Sequence, residues 1–177
     1  ELTKNIFQRF GLNRKYFVNE NENIIITNLK DYNKYEICEF YKNNFHEITS
    51  ELQNKYFRDF YNEWYQVNTI DGVKIGYIRL YFLNNSYSGE ISIEIIIKKE
   101  YRNIGYATDA IQLMVKYLNH HSCAVSVGAE VEENNEISKK IFKNLGFTKK
   151  ATNVYDRNNY TISLMGKLEN LNQKFES

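Results

Sequence analysis

The stretch EIIIKKEYRNIGYATDAIQLMVKYL, Glu94 to Leu118, decides the fold. It opens as an unbroken isoleucine run and passes through a basic turn holding one glycine, Gly105. It then continues at once at helical spacing, with Ile111, Met114, Val115 and Leu118 at i, i+3, i+4 and i+7. A strand that empties through such a turn into a helix start exposes unpaired amides at the positive end of the helix dipole, which makes an anion site. Two anion-binding patterns fail on residues. No lysine follows Gly105 at P-loop spacing, and Gly105 stands alone where a dinucleotide fingerprint needs three glycines. A tight connection without a ligand stays open at this point.

Outward from that stretch, NIIITN at 23–28 reads as a strand. Apolar residues from Asp31 to Trp64 fall at helical spacing, with Ile37, Phe40 and Tyr41 on one stripe and Leu52, Tyr56 and Phe60 on another; this predicts two helices broken near His46 to Ser50. YQVNTI and VKIGYIRLYF flank Asp71-Gly72, a hairpin signal. NNSYSG (84–89) is a turn and EISIEIIIK (90–98) a third strand. Further on, CAVSVGAEV is a strand, NEISKKIFKNLGF a helix stopped by Gly146, and the segment 148–167 a closing hairpin. The order β-α-α-β-β-β-α-β-α-β-β predicts an α/β (α+β) fold, a mixed sheet with helices on its faces. Residues 23–170 form a single domain in this reading. Residues 1–22 are an arm, or the tail of an absent upstream region, and 171–177 a tail.

With 177 residues, 42% of them hydrophobic, the chain can bury a core. A net charge of +1 calls for neither a nucleic acid polymer nor an anionic membrane surface, and no apolar run reaches the roughly 20 residues of a membrane helix. Cys38 and Cys123 are far apart in sequence, which points to reduced thiols and a cytoplasmic setting. The 24 Asn and 19 Ile against 5 Ala, with no Pro, suggest an AT-rich genome or a mobile element. His46, His120 and His121 lack acidic or cysteine partners at ligand spacing, so no metal is expected. Ser138 lacks the GxSxG context of an acyl-enzyme nucleophile.

The turn YRNIGYATDA and the later NEISKKIFKNLGF together resemble the two core motifs of the GCN5-related N-acetyltransferase (GNAT) superfamily. Arg102, Asn103, Ile104, Gly105, Tyr106 and Ala107 match its [RQ]xxGx[GA] turn, and Asn135, Ser138, Gly146 and Phe147 match an NxxSxxxxxxxGF pattern similar to the Rim-type branch of ribosomal-protein N-terminal acetyltransferases. The resemblance covers about residues 65 to 167. It implies a mostly antiparallel sheet of about six to seven strands, acetyl-CoA as cosubstrate, and a pyrophosphate held by the amides from Arg102 to Thr108. Asn135, Ser138 and Phe142 would lie against the coenzyme. Lys98 and Lys99 would add positive charge nearby.

The implied chemistry is direct transfer from the thioester to an amine. Amides at the splayed end of the strand, Ile95, Ile96 and Ile97, would hold the oxyanion. Alternation places Glu90, Ser92 and Glu94 on one face of that strand, and Glu94 is the expected proton acceptor, with Glu130 and Glu132 in reserve. A solvated sheet-face charge is the other reading of Glu94. Many superfamily members carry Tyr where Phe142 stands, so the acid for the leaving thiolate is missing or is supplied by Ser138. The acceptor is expected to be a small-molecule or peptide amine, an α-amine asking less of the base than lysine. A protein N-terminus, an aminoglycoside and an aminoacyl-nucleotide stay open. The last follows a resemblance to the acetyltransferase domain attached to a decarboxylase in microcin C self-immunity. Trp64 and Tyr77 are the expected acceptor-stacking residues, with a core aromatic as the other reading of Trp64. A non-catalytic acyl-CoA-binding module is the competing class. The protein is expected to be a monomer or homodimer.

Overall fold

The computed structural model describes residues 18–82, 89–156 and 159–176 of the chain. Its eight strands form one sheet in the order β1-β2-β3-β4-β5-β6-β8-β7. They are β1 (Val18–Glu20), β2 (Ile24–Asn28), β3 (Asn62–Thr69), β4 (Lys74–Tyr81), β5 (Glu90–Ile97), β6 (Ser126–Glu132), β7 (Thr148–Asp156) and β8 (Asn159–Lys167). Helices α1 (Lys34–Asn44) and α2 (Ser50–Tyr56) follow β2. Helix α3 (Tyr106–His121) links β5 to β6, α4 (Glu136–Asn144) follows β6, and α5 (Leu168–Glu176) follows β8. Among the described residues β5 and β6 are the one parallel pair, as a helical crossover requires. No described helix is long and apolar enough to cross a membrane.

The mixed, mostly antiparallel sheet flanked by helices is the expected fold, with the edge strand β1 and the helix α5 added to the predicted order. β1 lies inside the segment expected as an arm; the rest of that segment up to residue 17, and the turn at 84–89 apart from Gly89, fall outside the described residues. The expected tail from 171 belongs instead to α5, because Leu168 and Leu171 are buried in the core formed with α3. Local signals act as read at the Asp71-Gly72 hairpin. Gly72 has φ 90° there, and its amide donates to the Thr69 carbonyl at 2.9 Å. Gly146 (φ 98°) ends α4: its amide reaches the Lys143 carbonyl and that of Phe147 the Phe142 carbonyl, both at 3.0 Å, a Schellman stop.

The second helix is shorter than its periodicity predicts. It ends at Tyr56, and the Asn62 amide group donates to the Lys55 and Arg58 carbonyls at 2.8 and 2.9 Å, turning the chain into β3. Trp64 therefore belongs to a strand and not to a helix end.

Each sheet face carries its own core. Ile78, Leu80, Ile91 and Ile93 pack against Ile111, Met114 and Leu118 of α3. On the opposite face Trp64, Tyr77 and Ile96 pack against Ile37, Phe40 and Tyr41 of α1 and Tyr56 of α2. The polar side of β5, for which a solvated face was the other reading from sequence, is thus roofed by two helices; Ser92 is buried and Glu94 half-buried.

Candidate active site

Strands β5 and β6 pair over Glu90↔Ser126, Ile91↔Val127 and Ser92↔Gly128, then part. β5 stays bound to β4 as far as Ile97↔Gly76, and β6 to β8 as far as Glu132↔Thr161. A cleft opens where the two separate, and a cavity of about 630 Å³ fills it. The alternation of backbone groups selects which amides face this cleft. Lys98 donates its amide to the Ile75 carbonyl at 2.7 Å, on the β4 side, and the Ile96 carbonyl lies against Gly76 on that side too. Ile95 and Ile97 point the other way, as the Arg102 Nε bond to the Ile97 carbonyl at 2.8 Å shows. Of the three expected oxyanion donors, the amides of Ile95 and Ile97 face the cleft, whereas that of Ile96 is turned toward β4.

At the end of β5 the chain makes a short 3₁₀ turn, Lys99–Tyr101, and enters α3 through two left-handed residues, Asn103 (φ 64°) and Gly105 (φ 96°). Gly105 caps the helix without a side-chain bond, so the first-turn amides of Tyr106, Ala107 and Thr108 meet no capping oxygen. A Cβ at Gly105 would touch no protein atom within 4 Å; the positive φ and the open space beside the amides are what glycine serves there. Asn103, Gly105, Tyr106, Ala107 and Thr108 line the cavity, whereas Ile104 is exposed and does not. These amides, at the N-terminus of a sixteen-residue helix, fit a pyrophosphate.

Arg102 lines the cavity, but its guanidinium is committed elsewhere: Nε donates to the Ile97 carbonyl and Nη2 to the Asn44 carbonyl. Its partial burial lowers its pKa. Asn44 also accepts the Lys99 amide at 3.0 Å on Oδ1 and donates to the Phe40 carbonyl at 2.9 Å, so this buried residue ties the end of α1 to the glycine turn. Nothing in the sequence singled out Asn44, because its partners are backbone groups brought near only by folding.

From the far wall, Asn135 caps α4 by accepting the Ser138 amide at 3.2 Å. Ser138 and Phe142 follow along the wall, and all three line the cavity. Phe142 is buried edge-on to Phe147, with ring centroids 5.0 Å apart.

Glu94, Glu130 and Glu132 also line the cavity. Tyr41 donates to Glu94 Oε1 at 2.5 Å and Arg79 Nε to the same oxygen at 3.4 Å, while Tyr81 donates to Glu130 Oε1 at 2.9 Å. Arg79 is 2% exposed. Burial alone would lower its pKa, but the Glu94 carboxylate and the neighbouring tyrosines leave it raised, so the guanidinium stays charged. Burial, and then the nearby carboxylates, push the phenols of Tyr41 and Tyr81 well above the usual tyrosine range. Arg79 and Tyr41 were not legible as site residues, since only strand register and helix packing bring them to Glu94.

Trp64 and Tyr77 do not reach the cavity. Trp64 is 1% exposed, its indole donates to the Tyr56 carbonyl at 3.0 Å, and Phe57 stacks on it at 5.5 Å. Tyr77 is buried in the same cluster. The expected stacking residues are core residues because their strand positions point beneath α1 and α2. Phe45, Tyr56, Tyr81, Tyr101, Tyr106 and Phe142 are the aromatics that line the cavity. Among the described residues no group of three His, Cys, Asp or Glu is placed to hold a metal ion.

Residues 14–148 match the model of the acetyltransferase (GNAT) domain, and the chain belongs to that family. It is an N-acetyltransferase, and acetyl-CoA is its cosubstrate. No curated protein matches the sequence significantly. The fold is similar to that of mutant forms of the spermidine/spermine N-acetyltransferase SpeG from Vibrio cholerae, at TM-score 0.68 and 17% identity over 89% of this chain and 100% of that one. It is also similar to the V. cholerae spermidine N-acetyltransferase in complex with CoA and spermine, at 0.65 and 17% over 85% and 99%. A dodecameric structure of the same enzyme gives 0.66 and 16% over 84% and 96%. At these identities the likeness carries the fold.

Proposed function

We propose that the chain acetylates a primary α-amine of a small molecule or peptide, with Glu94 as the proton acceptor. The observation that carries this reading is the position of Glu94: a carboxylate on β5 that lines the same cavity as the cleft-facing part of that strand and the uncapped turn of α3. The first-turn amides from Tyr106 to Thr108 hold the pyrophosphate, and the Ile95 and Ile97 amides donate to the thioester carbonyl oxygen as it gains charge. The neutral amine attacks the carbonyl carbon, the N–C bond forms, Glu94 takes the proton from nitrogen, and the C–S bond breaks with its electron pair going to sulfur. Ser138, which lines the cavity, supplies a donor toward the thiolate in place of the tyrosine that Phe142 replaces. A thiol leaves readily as thiolate, which keeps the demand on that donor small.

An α-amine fits because it titrates near 7.7 to 8.0, well below lysine, and so yields its proton to a carboxylate more easily. The Rim-type wording of the two motifs supports the same class. An aminoacyl-nucleotide is the first acceptor to try on the resemblance to the microcin C self-immunity domain alone; Trp64 and Tyr77 are buried, and Tyr56 and Tyr81 each give a ring face to Arg79, so none of them adds support.

The test is thiol release from acetyl-CoA with an aminoacyl-adenylate analogue, an N-terminal peptide, an aminoglycoside and a polyamine, on the wild type and Glu94→Gln. Turnover with an α-amine acceptor and a loss of about a hundredfold or more in Glu94→Gln, with acetyl-CoA affinity kept, is the expected result. Full rate in Glu94→Gln from pH 6 to 9 removes Glu94 from the reaction. Turnover of the polyamine or aminoglycoside alone removes the α-amine assignment.

A further inference from the structure

We infer that Arg79 and Tyr41 are positioning residues that fix the Glu94 carboxylate by one oxygen, leaving Oε2 as its proton-accepting atom. The inference rests on the reading of Glu94 as base. Both donors converge on Oε1, Tyr41 from α1 at 2.5 Å and Arg79 from β4 at 3.4 Å. Oε2 has no hydrogen-bond partner among the described residues, although Glu94 lines the cavity. A carboxylate held by one oxygen from two elements has lost its freedom to rotate, while the other oxygen keeps its lone pairs for an incoming N–H.

The clamp is itself supported. Arg79 Nη1 donates to Asn62 Oδ1 at 2.9 Å, and Asn62 is fixed in turn by the Lys55 and Arg58 carbonyls. The guanidinium carbon lies 3.9 Å from the ring centroids of both Tyr56 and Tyr81, so the group is sandwiched as well as bonded. A buried ion pair of this kind contributes little net stability compared with apolar residues filling the same space. What Arg79 and Tyr41 supply is a single, fixed donor geometry at Glu94.

The experiment is a kinetic double-mutant cycle. Arg79→Met, Arg79→Lys and Tyr41→Phe are each measured alone and combined with Glu94→Gln, with acetyl-CoA affinity and thermal melting read on every protein. Arg79→Met and Tyr41→Phe are expected to lower kcat by about tenfold with acetyl-CoA affinity unchanged, Arg79→Lys to recover part of the loss, and both effects to shrink below about twofold in the Glu94→Gln background. Full kcat in the single variants, or equal losses with and without the Glu94 carboxylate, overturns the inference. Tyr41→Phe removes one oxygen and Arg79→Lys keeps the charge, so these two carry the test if Arg79→Met does not fold. Glu94→Gln alone at full rate would instead overturn the base assignment, and the cycle shows which of the two has failed.

Discussion

The hydroxyl of Tyr41 and Oε1 of Glu94 meet at 2.5 Å, 53 residues apart in sequence, and join helix α1 to the strand that forms one wall of the cleft. The bond needs the phenol proton. Burial first, and then the Glu94 charge, hold the Tyr41 proton in the folded protein.

That raised pKa has a consequence for alkaline stability. A group whose folded pKa exceeds its unfolded value, about 10 for tyrosine, contributes stability that is complete below the unfolded value and is lost as pH rises through the folded one. Tyr81 is shifted in the same direction by burial and Glu130. The urea midpoint should therefore hold to about pH 9 and fall above about pH 10, less steeply in Tyr41→Phe and Tyr81→Phe than in the wild type. Equal slopes in all three proteins would show that these phenols do not control the transition.

Gly105 separates backbone strain from ligand space. Its φ of 96° disfavours any side chain, while the absence of protein atoms around a built Cβ means that packing sets no limit. Gly105→Ala should cost about 1–2 kcal/mol of stability by chemical denaturation. Gly105→Val should also weaken acetyl-CoA binding by at least about tenfold in calorimetry, because its branches enter the space beside the amides. Affinity unchanged in Gly105→Val would place the coenzyme elsewhere.

Trp64 provides the opposite case. Since it is buried and bonded to the Tyr56 carbonyl, Trp64→Ala should cost about 3–5 kcal/mol of folding free energy and leave the acceptor KM of the folded protein unchanged. A raised KM with an unshifted melting temperature would return Trp64 to the acceptor site.

Much of the glycine-turn wall was legible because it is local. A β-branched run, a glycine that tolerates positive φ and an apolar stripe at helical spacing are each written within a few residues, and together they place unpaired amides at the start of α3 without any tertiary contact. The same holds for the Gly146 stop and the Asp71-Gly72 hairpin. Where local periodicity met a long-range partner it misled: the helical spacing carried past Tyr56 toward Trp64, but Asn62 binds the Lys55 and Arg58 carbonyls and the chain enters β3 instead.

The sequence by itself determined the strand-turn-helix unit, the mixed sheet and the glycine turn, because each depends on neighbours along the chain and on patterns of period 2 or 3.6. Only the tertiary structure decided which face of β5 is roofed, which of the Ile95, Ile96 and Ile97 amides face the cleft, and that Glu94 is held by Tyr41 and Arg79. Those outcomes depend on strand register, which brings Arg79 of β4 from 15 positions away and where a shift of one residue would exchange every side chain between the two faces, and on helix α1 laid across the sheet, which brings Tyr41 from 53 positions away.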